Sequence, residues 1–119
     1  MTIKECYEAT GGDYSEILDR LGKEDRIVKF AKKFFQTGDM ESLEESIKAS
    51  DAENSFVIAH TMKGNALNIG FEVLAKKLSD LVELLRTRTM INPNLARNLF
   101  DAAKAEYEKE KEVFSKLEE

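Results

Sequence analysis

Along most of this chain, apolar residues recur at three- and four-residue intervals, the period of one face of an α-helix. Gly11-Gly12 breaks a short N-terminal segment. Asp13 is then placed to cap a helix that carries Tyr14, Ile17, Leu18 and Leu21 and ends at Gly22. From about Glu24 to Gln36, the residues Ile27, Phe30, Ala31, Phe34 and Phe35 mark a buried stripe, which Gly38 stops. Asp39 reads as the cap of a third helix with Met40, Leu43 and Ile47 on one face.

Ser50-Asp51-Ala52-Glu53 reads as a capping box, the serine oxygen accepting an amide and the glutamate reaching back. It opens a long helix from about Asp51 to Ile69, with Gly70 expected in a left-handed conformation at its end. The next helix, with Phe71, Leu74, Leu78, Leu81 and Leu85 inward, follows so closely that the two must form an antiparallel hairpin. Asn92-Pro93 supplies a cap and a first helical residue. The last helix carries Leu95, Leu99, Ala103, Val113, Phe114 and Leu117, and the glutamate-rich run from Glu106 to Glu119 reads as a solvated face with a fraying end. With a single proline and no alternating strand pattern, the expected fold is an all-α antiparallel helical bundle. It has a four-helix-bundle core plus a short N-terminal helix, in one domain over 1–119.

Composition narrows the function classes. The chain is 42% hydrophobic and 34% charged with a formal net charge of -5. That balance disfavours nucleic acid and anionic membrane surfaces as partners. No apolar run is long enough to span a bilayer, and no secretory pattern follows Met1. A lone Cys6 forms no internal disulfide and reads as a structural thiol in a reducing, cytoplasmic setting.

The candidate chemistry lies in Ala59-His60-Thr61-Met62-Lys63-Gly64, which holds the one histidine of the chain. On a helical wheel Ser55, Ile58, Ala59, Met62, Ala66 and Ile69 gather on one side, and His60 falls roughly 150° from its centre. The ring is therefore expected to face solvent, beside Glu53, Phe56, Val57, Lys63, Gly64 and Leu67. An idle surface histidine is the plain alternative, but it leaves Phe56, Val57 and Leu67 exposed without reason. An exposed imidazole is a nucleophile at neutral pH. Lys63, one turn on, is a cation within reach of oxygens carried by the ring. Gly64 costs about 1 kcal/mol relative to alanine in a helix, and steric clearance for an approaching partner explains it. A bundle metalloprotein needs several inward ligands, which a single outward histidine does not provide.

At these residues the chain resembles the histidine-containing phosphotransfer (HPt) domain family of bacterial and related phosphorelays. The matching run is Ala-His-Thr-Met-Lys-Gly-Asn-Ala-Leu-Asn-Ile-Gly, residues 59–70, and the length and layout fit a whole domain. Asn68 and Gly70 match common family choices, and the following Phe-Glu-Val-Leu-Ala-Lys-Lys-Leu fits the second hairpin helix.

The resemblance implies that His60 is the phosphoacceptor, through the ring nitrogen farther from the backbone, and that Lys63 helps hold the phosphoryl group. It implies that Gly64 gives the partner room and that Phe56, Val57 and Leu67 belong to the docking face. The implied partners are response-regulator receiver domains and a sensor or hybrid histidine kinase. The implied protein is a phosphocarrier without its own ATP site, metal or bound cofactor, the magnesium ion belonging to the partner receiver. Two positions depart from the family pattern. Val82 stands where many members carry a glutamine or glutamate that orients the imidazole, with Glu83 beside it facing outward. Asn65 stands where serine or alanine is frequent. The alternative is an HPt-like adapter that binds a receiver or kinase without carrying phosphate.

Overall fold

The structure is a computed structural model that describes residues 1–118. All seven helices of the described residues follow the breaks in the apolar pattern: α1 Ile3–Ala9, α2 Tyr14–Leu21, α3 Glu24–Phe34, α4 Asp39–Lys48, α5 Ala52–Asn68, α6 Glu72–Leu84 and α7 Pro93–Phe114. Helices α4 to α7 form an antiparallel four-helix core, in which α5 packs on both α4 and α6, and α7 packs on α6 and α4. Helices α1 to α3 pack on one another, and α1 also meets α7.

Start and stop chemistry explains most of the boundaries. Asp13 accepts from the Glu16 amide, and Gly22 ends α2 in the left-handed region. Asn92 accepts from the Leu95 amide, with Pro93 opening α7. A reciprocal capping box at Thr2 and Glu5, unread in the sequence, starts α1. Gly70 turns the chain between α5 and α6 at φ +79, where a Cβ would overlap the Ile17 side chain. Only glycine suits that position on both counts.

Two caps sit one residue from where the sequence placed them. Asp39 is the first residue of α4 rather than its cap, which is Gly38 in a left-handed conformation. Ser50 does not form a capping box: it lies at φ 55, and Asp51 caps α5 by accepting from the Asn54 amide. An aspartate oxygen is as good an acceptor there as serine, and its side chain is the one aimed at the helix.

The core holds the expected faces of α4 and α6, namely Met40, Leu43 and Ile47, and Leu74, Leu78 and Leu81 with flanking Phe71 and Leu85. On α3 the stripe is narrower than expected, because Phe30 is exposed and Phe35 half-buried. On α7 and just past it, the expected Ala103 and Phe114 are buried, and Leu99, Val113 and Leu117 pack half-buried against the core. The centre of the inward face, however, is turned toward residues the sequence reading did not name: Ala96, Phe100 and Tyr107 face inward, and Leu95 is exposed.

The same turn overturns the solvated reading for two of the C-terminal glutamates, while Glu108, Glu112 and Glu118 are exposed as expected. Glu106 and Glu110 are buried, while Glu119 lies outside the described residues. One Glu106 oxygen and both Glu110 oxygens lack a hydrogen-bond partner. Burial, then the neighbouring Glu106 carboxyl, pushes Glu110 up to about 9.

The Gly70 end of the hairpin is closed by aromatic rings. Tyr7 lies 5.7 Å from Phe71 and 5.4 Å from Phe114, centroid to centroid. Its hydroxyl donates to the Ile69 carbonyl at 2.5 Å. That bond holds α1 against the end of α5, and burial, with smaller contributions from Tyr14 and Glu110, raises the Tyr7 phenol well above its ordinary range. Within the bundle the Ser46 and Ser55 hydroxyls, 2.7 Å apart, tie α4 to α5.

Candidate functional site

Helix α5 has one side committed to the core: Ser55, Ala59, Met62, Ala66 and, just past the helix end, Ile69 are buried, with Ile58 half-buried. The three- and four-residue spacing of these positions fixes the rotation of the helix. His60 is thereby left on the exposed side, where the wheel puts it, with Lys63 half-buried one turn on and Gly64 exposed. A Cβ added at Gly64 would meet nothing within 4 Å. No packing therefore demands glycine here, and the surface beside the ring is open.

The apolar neighbours divide. Val57 and Leu67 are 52% and 46% exposed, a small apolar surface on the histidine side of α5. Phe56 is 6% exposed and is corrected: it is not part of an exposed docking face. Its ring lies 5.7 Å from the His60 ring, tilted by 30°. The segment after α6 covers it, with the Arg88 guanidinium 4.2 Å from its centroid and that of Arg86 at 6.0 Å. Phe56 thus supports the imidazole from below rather than offering itself to a partner.

The same segment carries cationic groups the sequence reading did not single out. Arg86 donates to both Glu83 oxygens, Nε at 3.1 Å and Nη2 at 2.5 Å. That pairing, with a further contribution from Lys63, holds the Glu83 carboxyl below its ordinary range. Lys63 on α5 and Glu83 on α6 are therefore close enough to feel one another across the hairpin. The available signal was the Glu83–Arg86 spacing of three at the end of α6, followed by a second arginine two residues on. What hid it is the loop, whose return over α5 no helical period reports.

Among known proteins, no family model matches the chain, no curated protein matches it and no solved structure matches it. Among the described residues, no group of three or more histidine, cysteine, aspartate and glutamate side chains is placed to hold a metal ion. No helix among them is long and apolar enough to cross a membrane.

Val82 is fully buried and Glu83 exposed, as the hairpin register requires of adjacent residues. Neither donates to or accepts from the imidazole, and Phe56 is the ring contact that bounds its orientation. Chemically, the site is an exposed imidazole on a rigid helix, with open space and an ammonium one turn on and two guanidinium groups over the neighbouring Phe56 ring. Such a site can attack an electrophile brought by a partner and stabilise the negative charge that arrives with it.

Proposed function

We propose that this chain is a histidine phosphotransfer protein, which relays a phosphoryl group between receiver-domain aspartates or takes it from a sensor kinase. The observation that carries the reading is His60 exposed on a core helix of an all-α bundle, with Lys63 and an unobstructed Gly64 on the next turn. The farther ring nitrogen of His60 attacks the phosphorus of a partner's acyl phosphate. The bond from phosphorus to the aspartate oxygen breaks, and the carboxylate leaves with its electron pair. The return step reverses this on a second aspartate. Such in-line transfer needs alignment and charge neutralisation more than covalent machinery, which suits a site of few residues. Lys63 supplies charge from this chain, and the partner receiver supplies the magnesium ion. Val57 and Leu67 offer a small apolar docking surface, fitted to weak and fast association.

One observation favours a second reading, an adapter that binds a receiver or kinase without carrying phosphate. Val82 places an apolar, buried side chain where a polar one would orient the ring. Transfer from a radiolabelled phospho-receiver, with wild type beside His60→Gln, separates the two. An acid-labile, alkali-stable label on wild type alone supports the carrier. Receiver binding with no label across a panel of receivers and kinases supports the adapter.

A further inference from the structure

A cavity of about 490 Å³ opens between α2, α3 and the C-terminal end of α5. Its apolar lining is Leu21, Phe30, Phe34 and Ile69, and its polar lining includes Arg20 and Lys33. Asn65 and Asn68 add amide groups from α5. The volume falls in the range of about 300–1,000 Å³ typical of small-molecule sites, and a mostly apolar wall with a few polar groups is their usual composition.

The charge of the lining is selective. The chain carries a net charge of -5, yet this cavity is lined by two cations and no carboxylate. Arg20 is already engaged: Nη1 donates to the Leu67 and Asn68 carbonyls at 2.9 and 3.2 Å, and Nη2 to Glu16 at 2.6 Å. Lys33 is exposed at the rim and forms no ion pair among the described residues. Phe30, an aromatic left 38% exposed, forms part of the same wall. An exposed ring beside an uncommitted ammonium suits a ligand with a flat apolar body and one anionic head.

We propose that this cavity is a binding site for a small aromatic anion, its apolar body against Phe30, Phe34 and Ile69 and its carboxylate or phosphate head on Lys33. The site is separate from the His60 surface and does not rest on the phosphotransfer reading. It shares α5 with that surface through Asn65 and Asn68. Through the two carbonyls that Arg20 holds, it also reaches Leu67 on the docking side.

The test is a titration followed by amide chemical shifts in two-dimensional NMR, on the full chain. The probes are 2-naphthoate, 2-naphthyl phosphate and the neutral 2-naphthamide. The expected result is saturable binding of one or both anions, with shifts centred on Leu21, Phe30, Lys33 and Asn68, and affinity for the amide at least about tenfold weaker. Comparing naphthoate with naphthyl phosphate tells a carboxylate head from a phosphate head. Lys33→Glu is expected to weaken anion binding at least about tenfold and Lys33→Arg to retain it. Lys33 is exposed, so an unchanged circular dichroism spectrum is expected for both. His60→Gln is expected to bind the probes as wild type does. Equal binding of the amide, shifts centred elsewhere, indifference to Lys33→Glu, or no saturable binding would each overturn the proposal. The last would leave the cavity to a partner's side chain.

Discussion

Arg88 lies over the face of the Phe56 ring, its guanidinium carbon 4.2 Å from the ring centroid. The contact makes Phe56 a packed residue with a cationic cover. The expected consequence is a split in stability. Phe56→Ala costs about 3–5 kcal/mol, as for a buried aromatic, and Arg88→Ala about 0.5–1 kcal/mol, the worth of an exposed cation–π contact. Urea unfolding of the two variants measures both. A Phe56→Ala variant as stable as wild type would return Phe56 to the exposed surface.

Two glycines of the same hairpin respond oppositely to one substitution. Gly64→Ala is expected to stabilise by up to about 1 kcal/mol, because the position is helical and a Cβ meets open space. Gly70→Ala is expected to destabilise by about 1–3 kcal/mol or more, since φ is +79 and Ile17 occupies the space. Thermal unfolding of the pair decides the signs.

Gly64→Gln separates clearance from folding. On the phosphotransfer reading it slows transfer to and from a receiver by at least about tenfold, the scale of a misplaced reacting pair. It changes stability by no more than about 1 kcal/mol. Single-turnover transfer rates, with Tm measured alongside, provide the check, and an unchanged rate would remove the clearance argument.

Glu110 makes stability depend on pH in a stated direction. Its carboxyl stands at about 9 in the folded chain against an ordinary 4.5, raised first by burial and then by Glu106. The folded state therefore holds a proton that the unfolded state releases. The contribution is fully present below about 4.5 and is lost as pH rises through about 9. Glu110→Met is expected to gain about 1–4 kcal/mol near neutrality. Its advantage in Tm should vanish near pH 4 and widen with rising pH. A pH-independent difference would mean that Glu110 titrates as it does unfolded.

The helix breaks were legible because Gly22, Gly70 and Asn92-Pro93 act locally, through a left-handed turn or a cap that no tertiary contact is needed to specify. The exposed side of α5 was legible for a similar reason, since Ser55, Ala59, Met62 and Ala66 fix its rotation. Phe56 was not legible, because its cover comes from a loop some thirty residues later whose return depends on the whole bundle. Helix α7 was legible in part, with Ala103 and Phe114 buried and Leu99, Val113 and Leu117 against the core, and the centre of its inward face was missed on composition. Leucines at 95 and 99 outweigh Ala96 in any apolar count, yet α7 meets α6 and α4 on the side marked by Ala96, Phe100 and Tyr107. Glu106 and Glu110 lie on that same side, and charge alone had assigned them to water.

The ring cluster at the Gly70 end offers an intrinsic optical clock for folding. The chain has three tyrosines and no tryptophan. Tyr7 bonds to a carbonyl 62 residues away and packs on the ring of Phe114. Its asymmetric environment exists only after the beginning, middle and end of the chain have met, whereas helix formation is local and fast. In a refolding experiment, far-ultraviolet dichroism therefore reports helices and near-ultraviolet tyrosine dichroism reports closure. A lag between them measures time spent helical but not yet assembled, and coincident signals mean that helices and closure form in one step.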